Sequence, residues 1–283
     1  MAMATHDSGA RWKTFLSEAK EQEITLLLSR QTASPVIDVS FHELTGFDPE
    51  FAEDILISPR LIISSGHKIL SEICRDRGVD LDAMIRLSDL PKDTMRPLRE
   101  IGSRDIDKLR SLDVIVTKMS QLKPRIHLAV FQCETCGETQ QIDQTNESEL
   151  VEPIRCPPDT GCGASIRGTD STRFNLVMNI SRMINNQWLE IQELPENVPS
   201  GAQPSRAQVL LEGDLVNKHL PGQRITANVI PVVRSEIKKN KKTPMFDIIY
   251  HMVSSTHESV PFTEIKISDE ERAQIEDVAA TDN

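Results

Sequence analysis

Four cysteines grouped between residues 131 and 163 constrain the fold of this chain more than any other feature. Cys133 and Cys136 form a C-x-x-C pair, and after a nineteen-residue spacer Cys156 and Cys162 form a second pair. Tetrahedral Zn²⁺ takes four thiolates at about 2.3 Å, and a two-residue gap lets one tight turn present two of them. Gly137 suits that turn because glycine adopts positive φ without strain. Structural zinc is therefore the first interpretation.

The second cysteine pair is wider than is common, because the five residues PPDTG separate Cys156 from Cys162. Three alternatives stay open: two disulfides, a redox C-x-x-C, or a three-cysteine site completed by His127. Disulfides need an oxidising compartment, and the N-terminus has no basic and apolar signal region. Four cysteine ligands leave no open position for water, which argues against catalytic zinc. Cys74 lies in the apolar run ILSEIC and is predicted to be a core residue.

Composition limits the class of protein. The 283 residues are 38% hydrophobic and 27% charged, values typical of a globular protein with a sizeable core. No apolar run approaches the roughly eighteen residues of a membrane span. The net charge of −11 argues against a uniformly basic nucleic-acid-binding protein. Any contact with phosphates must come from a local basic patch.

Residues 1–98 are predicted to form a mostly helical region. Residues 1–10 are small and polar and are expected to lack stable structure. The apolar spacing that starts at Trp12 predicts one helix ending near Ser29. Further helices are expected at 48–58, where Asp48 can cap the helix before Pro49, and at 59–78. The segment PVIDVSF alternates too weakly to predict a strand, and His42 and His67 are read as ordinary surface or packing residues.

After residue 98 the apolar period changes to that of strands. Five or six short strands with regular turn signals favour an OB-fold Greek-key barrel, which accepts long loop insertions. The predicted class is α+β. Its expected parts are a helical subdomain at 1–98, a barrel at 99–130 and 172–265, a zinc-ribbon-like insertion at 131–171, and an acidic C-terminal tail at 266–283. The tail is expected to begin at a Ser268 cap with Glu271 three residues later.

Four segments carry a resemblance to a known family. They are LREIGSRDIDKLRSLDVIVTKMSQLKPR at 98–125, AVFQCETCG at 129–137, QWLEIQELPENVPSGAQPSR at 187–206 and VLLEGDLVNKHLPGQRI at 209–225. Together they resemble the N-terminal region of minichromosome maintenance (MCM) replicative DNA helicases, and the short N-terminus is more similar to archaeal members. The resemblance implies a barrel that lines a central channel and binds DNA, zinc modules that join two rings head to head, and a loop that signals to an ATPase domain.

The resemblance also implies roles for individual residues. The hairpin 234–250 is expected to contact DNA phosphates through its lysine tip, because lysine is a flexible point charge. A second basic patch is expected on the barrel, with Arg173 and Arg182 as weaker candidates. The DNA-binding residues so predicted are Lys238, Lys239, Lys241, Lys242, Lys118, Lys123 and Arg125. The inter-domain loop runs from Gln192 to Arg206 and includes Glu193, Pro195, Glu196, Gly201 and Pro204. Alternatively, the lysine tip is a solvated turn or a guard against edge-strand aggregation.

The chain itself is not expected to be an enzyme. No glycine is followed by lysine, so the P-loop motif G-x-x-x-x-G-K-[ST] is missing. ATP and Mg²⁺ are expected only in a motor domain of the parent helicase, and zinc is the expected cofactor here. The expected partners are single- and double-stranded DNA, bound with little sequence preference, and further copies in a single or double ring. The expected location is the cytoplasmic nucleoid for an archaeal protein or the nucleus for a eukaryotic one.

Two other functions stay open. One is a monomeric zinc-ribbon and OB-fold nucleic-acid-binding factor of transcription or translation, which would not form a ring. The other is a thiol oxidoreductase using Cys133 and Cys136, which would need reactive thiols in the metal-loaded protein.

Overall fold

A computed structural model describes residues 2–29, 35–144, 149–166, 172–238 and 241–257. In this part of the chain a helical layer packs against a closed β-barrel, and an extension of the barrel sheet carries the cysteines. The helices are α1 (Ala2–Ala19), α2 (Glu21–Ser29), α3 (Phe41–Phe47), α4 (Pro49–Ile57) and α5 (Pro59–Asp76). The strands are β1 (Val36–Ser40), β2 (Met84–Ser88), β3 (Arg110–Met119), β4 (Lys123–Cys133), β5 (Thr139–Asp143), β6 (Phe174–Leu176), β7 (Arg182–Glu193), β8 (Arg206–Glu212), β9 (Arg224–Lys238) and β10 (Lys241–His257).

The helix starts follow from local sequence. The Asp48 carboxylate accepts a hydrogen bond from the Phe51 amide, and Pro49 occupies the first helical position of α4. The predicted cap at Asp48 is therefore confirmed. Ser40 caps α3 in a capping box with Glu43, which the sequence analysis did not identify.

Two predictions for the N-terminal region are wrong, and one strand was not predicted. Helix α1 begins at Ala2, so residues 2–10 are helical rather than unstructured. The predicted single helix is broken at Lys20, whose ammonium group is drawn to Glu23 Oε1 at 2.7 Å and Glu43 Oε2 at 2.9 Å. The segment PVIDVSF contains strand β1, which pairs in parallel with β2. Pairing with a strand almost fifty residues later leaves no local signal in the sequence.

A glycine sets the packing between α1 and α5. A Cβ added at Gly66 would lie 2.9 Å from atoms of Trp12 and Ile85. The missing side chain lets the Trp12 indole settle against α5, where its Nε1–H donates to the Ile62 carbonyl at 2.8 Å. Trp12 is fully buried and also meets Phe51 edge-to-face. This close approach fixes the helical layer around its largest side chain.

The barrel closes through five strands. The order along the sheet is β3, β9, β10, β8 and β7, and β7 returns to pair with β3. All of these pairings are antiparallel except the short parallel one between β8 and β10. Closure removes the free edges that would otherwise template aggregation. The predicted α+β class, with an OB-fold barrel, is confirmed.

The cysteine-bearing extension grows from the barrel strand β7. Strand β4 pairs with β7, and β5 and β6 both pair with β4. The extension is thus a continuation of the barrel sheet that ends in the cysteine loops. The exact boundaries of the predicted parts, including the insertion at 131–171, stay predictions, and the tail at 266–283 lies outside the described residues.

Two hydrophobic cores lie on opposite faces of the barrel wall. The inner core is formed by residues such as Leu112, Val114, Leu189, Val209 and Tyr250. The outer core joins the helical layer to the barrel in one cluster. The residues that the barrel contributes to this outer core are Leu109, Ile230, Val232, Ile249 and Val253. The helical layer is therefore packed on the barrel as part of the same hydrophobic interior.

A buried ion pair crosses the same contact. Arg86 of β2 donates to Asp214 Oδ1 at 2.6 Å, to the Glu212 carbonyl at 2.8 Å and to the Val253 carbonyl at 3.0 Å. These bonds satisfy a guanidinium that is removed from water. They fix the position of β2 relative to strands β8 and β10.

Candidate metal centre and nucleic-acid interface

The four cysteines come from two loops at the end of the sheet extension. Cys133 is the last residue of β4, and Cys136 lies in the turn before β5. In that turn Gly137 has φ of 76° and donates its amide to the Cys133 carbonyl at 2.9 Å. The left-handed conformation explains why glycine follows the C-x-x-C pair. The second loop carries Cys156 and Cys162.

The sulfur atoms meet in one cluster. All four Sγ atoms lie within 4.8 Å of one another. The Cys133 and Cys162 sulfurs are 3.7 Å apart, and those of Cys136 and Cys156 are 3.6 Å apart. Four ligands at about 2.3 Å in a tetrahedron have sulfurs about 3.8 Å apart. The spacing of the sulfurs therefore fits a tetrahedral cation that prefers thiolates.

The wide second pair closes because of Gly161. The Gly161 amide donates to the Pro157 carbonyl at 2.9 Å, which folds the five-residue gap into a turn. A Cβ at Gly161 would lie only 2.4 Å from Cys156 Sγ. No larger residue fits there without moving the sulfur, so the turn and the cluster depend on each other.

Two of the alternative cysteine chemistries, the disulfides and the site completed by His127, find no support in this geometry. None of the five cysteines forms a disulfide. His127 lies outside the cluster, and its Nε2 is 3.7 Å from Asp82 Oδ2. Cys74 is buried in the helical core, as predicted. The complete set of four sulfurs is the arrangement that structural zinc uses.

The environment of the sulfurs differs across the cluster. Thr172 Oγ1 lies 3.2 Å from Cys133 Sγ, and this hydrogen bond lowers the pKa of Cys133 to about 6. Burial instead raises the pKa of Cys156 to about 12. A bound cation favours the thiolate at every position. The cluster therefore combines one sulfur that ionises readily with one that needs a cation.

The predicted basic patch on the barrel is partly neutralised by carboxylates. Lys118 Nζ lies 3.1 Å from Glu190 Oε2. Arg125 bonds to Glu212 and donates to the Gln144 carbonyl at 3.0 Å, and only 19% of its side chain is exposed. Lys123 is exposed at the start of β4. The three residues share one end of β3 and β4, and their role stays a prediction.

The two weaker arginine candidates differ in surroundings. Arg182 pairs with Asp80 and Asp82, at 2.6 Å from Asp80 Oδ2. These pairs tie β7 to the segment that precedes β2. Arg173 is exposed beside the cysteine extension. Arg182 is therefore occupied in holding the helical layer, and Arg173 is available to solvent.

The hairpin is formed by the two longest strands. In β9 and β10 Lys238 stands opposite Lys241, and Ile237 stands opposite Lys242. Lys239 lies outside the described residues, as do the side chains of Lys238, Lys241 and Lys242. At the hairpin base the Arg234 guanidinium lies 5.8 Å from the Trp188 ring centroid, a contact that holds the base of β9 against the barrel.

Comparisons with known proteins identify this architecture. The MCM OB domain family matches residues 97–234. A crystal structure of the N-terminal domain of an archaeal MCM aligns with a TM-score of 0.78 and 26% identity, covering 90% of this chain and 100% of that one. These matches support an N-terminal MCM region.

Full-length relatives agree with this assignment. The minichromosome maintenance protein MCM of Saccharolobus solfataricus is 28% identical over 273 residues, covering 91% of this chain and 37% of that protein. The DNA replication licensing factor mcm4-B of Xenopus laevis is 26% identical over 261 residues, covering 87% of this chain and 29% of that protein. The chain thus spans about a third of the length of these curated MCM relatives.

In this MCM region the predicted inter-domain loop is anchored at its first residues. Glu193, almost fully buried, receives two hydrogen bonds from Arg99 Nε and one from Arg99 Nη2, the shortest at 2.6 Å. The Glu193 amide donates to the carbonyl oxygen of Ser205, at the far end of the loop, at 3.0 Å. The Glu193 residue therefore holds both ends of the loop together. Its signalling role stays a prediction.

Other loop residues are arranged around this anchor. Glu196 pairs with Arg224, and Gln192 accepts a hydrogen bond from Arg206 Nε at 3.1 Å. Gly201 has φ of 81° at the loop tip. Sequence reasoning missed Arg99 and Arg224 as partners. Nothing in the sequence pairs Arg99 with a glutamate 94 residues later, because only barrel closure brings β7 beside the segment before β3.

Proposed function

We propose that this chain is the DNA-binding and ring-assembly region of an MCM replicative helicase. The observation that carries the proposal is the hairpin of the closed barrel. Among the described residues, β9 beyond Pro231 and β10 before Tyr250 pair only with each other, so the hairpin extends past its barrel neighbours. Its tip holds four lysines, Lys238, Lys239, Lys241 and Lys242. The chain thereby concentrates positive charge on a projecting element, although its net charge is −11.

The expected ligand of this hairpin is the phosphate backbone of single- and double-stranded DNA. Lysine ammonium groups attract phosphates without selecting a base sequence. When several subunits form a ring, their hairpins converge on one channel, and each weak patch gains from the high effective concentration of the others. Lys118, Lys123 and Arg125 form a second contact on the barrel, where Arg125 exchanges its partner Glu212 for phosphate.

The cysteine cluster holds a structural Zn²⁺ in this proposal. Cys133, Cys136, Cys156 and Cys162 are its ligands, and the sulfur spacing supports a closed tetrahedral site. Bound zinc contributes folding free energy to the loops, which contain little regular structure of their own. The loops present exposed apolar side chains, and 70% of Ile154 is exposed. This apolar surface supports a contact between copies, including the contact of two rings.

The parent protein is proposed to be an ATP-dependent helicase whose ATP and Mg²⁺ bind in a motor domain. The loop from Gln192 to Arg206 passes the state of the motor to the barrel. Its anchoring by Arg99 and Glu193 supports this role, since a loop fixed at both ends transmits a displacement of its tip. The protein is proposed to act on chromosomal DNA, in the nucleoid of an archaeon or the nucleus of a eukaryote.

Native mass spectrometry tests the assembly, because one spectrum reports both metal and subunit number. A species of six or seven subunits with one zinc per chain is expected. A monomer that binds DNA would instead support the zinc-ribbon and OB-fold factor of transcription or translation.

A paired lysine substitution tests the DNA interface. Lys241→Ala together with Lys242→Ala should weaken DNA binding and flatten its dependence on salt, by about 0.7 in the logarithmic slope per lost contact on single strands. The control removes the same charge from exposed lysines elsewhere, as Lys13→Ala with Lys92→Ala. An unchanged salt slope in the hairpin variant would remove the hairpin from the mechanism.

A further inference from the structure

Phe246 is the most exposed aromatic side chain among the described residues. Of the chain's aromatic residues, Trp12, Phe15, Phe51 and Tyr250 are buried, whereas 55% of Phe246 is exposed. It lies on β10 at the base of the lysine-tipped hairpin, opposite Ser235. Single exposed apolar side chains are common on protein surfaces, so a ligand is indicated only by the surroundings of this ring.

The pairing register shows which face carries this ring. Alternate residues of a strand share a face, so Phe246, Ile248 and Tyr250 point the same way. Tyr250 lies in the inner core of the barrel, and Ile248 packs partly against that core. Val233, directly opposite Ile248, is 45% exposed. The inner apolar face of the barrel therefore continues along the hairpin as an exposed strip of Val233, Ile248 and Phe246.

A bulge immediately before Phe246 sets its direction. The register of β9 and β10 shifts between Lys242 and Phe246, where three residues of β10 oppose one residue of β9. Pro244 lies inside this bulge and cannot donate to the ladder. Bulges redirect side chains next to functional sites. Here the bulge separates the lysine tip from the aromatic strip on the same hairpin.

We infer that Phe246 stacks on a base of single-stranded DNA whose phosphates are held by the lysine tip. The inference rests on the proposed function and specifies the form of DNA that the hairpin prefers. Positive charge beside an exposed flat ring is the combination that binds single strands, because every base offers a face for stacking. Paired bases of a duplex are stacked on one another and do not offer that face. The hairpin thereby distinguishes a single strand from a duplex.

Equilibrium binding of the full chain to a fluorescein-labelled single strand and to its duplex tests this inference. Phe246→Ala should weaken single-strand binding by about fivefold or more and change duplex binding by less than about twofold, within the margin of a surface substitution. The salt slope should stay the same, since no charge is removed. Met245→Ala, at the neighbouring exposed position, is the matched control and should leave both affinities unchanged.

Two further variants separate stacking from simple apolar contact. Phe246→Tyr keeps the flat ring and should retain single-strand binding, whereas Phe246→Leu keeps an apolar side chain and should lose it. In wild type, a single 2-aminopurine placed in the strand should change its fluorescence on binding, and Phe246→Leu should abolish the change.

The outcomes distinguish this inference from the function it rests on. A wild-type protein that binds neither form of DNA contradicts the proposed function itself. If Phe246→Ala binds single strands as tightly as the wild-type protein does, the stacking of Phe246 is overturned, whereas the proposed function is not. A loss of ring assembly in Phe246→Ala without loss of single-strand binding also overturns the stacking, because the apolar strip would then contact a neighbouring subunit.

Discussion

Arg86 and Asp214 form a salt bridge of 2.6 Å between the helical layer and the barrel, and only 8% and 11% of their side chains are exposed. Although burial alone would raise the pKa of Asp214, the charge of Arg86 holds it below the usual value. Arg86 also donates hydrogen bonds to two barrel carbonyls, so it positions β2 as well as neutralising the charge of Asp214.

Removing one partner of this pair should destabilise the protein. We expect Arg86→Met to lower the free energy of unfolding by about 3–5 kcal/mol, because Asp214 would stay buried with only the half-exposed Lys218 as a charged partner. Urea unfolding measures the change. Arg224→Met breaks the exposed pair with Glu196 and should cost far less. Equal losses in the two variants would contradict the importance of burial.

The same pair predicts an acid-dependent loss of stability. The folded pKa of Asp214 is below its unfolded value, so its contribution is complete above an unfolded pKa of about 3.9. The contribution declines as the pH falls through the folded pKa, since the protonated carboxyl no longer pairs with Arg86. Arg86→Met should reduce this decline in urea titrations between about pH 5 and about pH 2, the range in which carboxylates titrate.

Loss of a cysteine ligand should unfold the loops of the sheet extension and leave the barrel folded. Cys133→Ser is expected to lose the metal and to remove hydrogen-exchange protection from β5, because the loops depend on metal binding. Metal content by mass spectrometry and exchange by peptide mapping measure the two effects. Cys74→Ala should keep the metal. A Cys133→Ser protein that retains one zinc per chain would contradict the ligand assignment.

The clamp between Arg99 and Glu193 should control the order of the following loop. The Arg99 guanidinium lowers the pKa of Glu193 through its hydrogen bonds, so the pair is intact at neutral pH. Arg99→Gln should increase hydrogen exchange of the amides from 194 to 205. Arg206→Gln removes the more exposed contacts with Gln192 and Glu190 and should have a smaller effect. Unaltered exchange in Arg99→Gln would show that the loop is held by other contacts.

His219 should make the protein less stable in mild acid. It is fully buried, its Nε2 lies 3.1 Å from Ser255 Oγ, and burial lowers its pKa to about 4. Because the folded pKa is below the unfolded value of about 6.5, stability is complete above pH 6.5 and declines towards pH 4, by up to about 3 kcal/mol. His219→Gln should flatten this part of the profile in urea unfolding, whereas His42→Gln, on the exposed face of α3, should not.

The parts predicted from sequence are those specified by nearby residues. The four cysteines could be grouped because C-x-x-C and its glycine define a local turn, and Asp48 before Pro49 defines a helix start. The barrel was predictable because its strands alternate. The pairing of β1 with β2, the clamp of Arg99 on Glu193 and the partners of Arg86 were not. Each joins residues that are distant in sequence, and only closure of the barrel determines which of them meet.

The outer core couples unfolding of the helical layer to unfolding of the barrel. Val232, Ile249 and Val253 belong to the barrel strands, but they are buried against the helical layer. Cutting the chain at residue 98 would leave this wall of the barrel in water, and the Asp214 carboxylate would keep only Lys218 as a charged partner. The first hundred residues and the barrel should therefore unfold in one cooperative thermal transition. A chimera that takes one of these parts from a relative should be stable only if the contacting residues of the other part are changed to match.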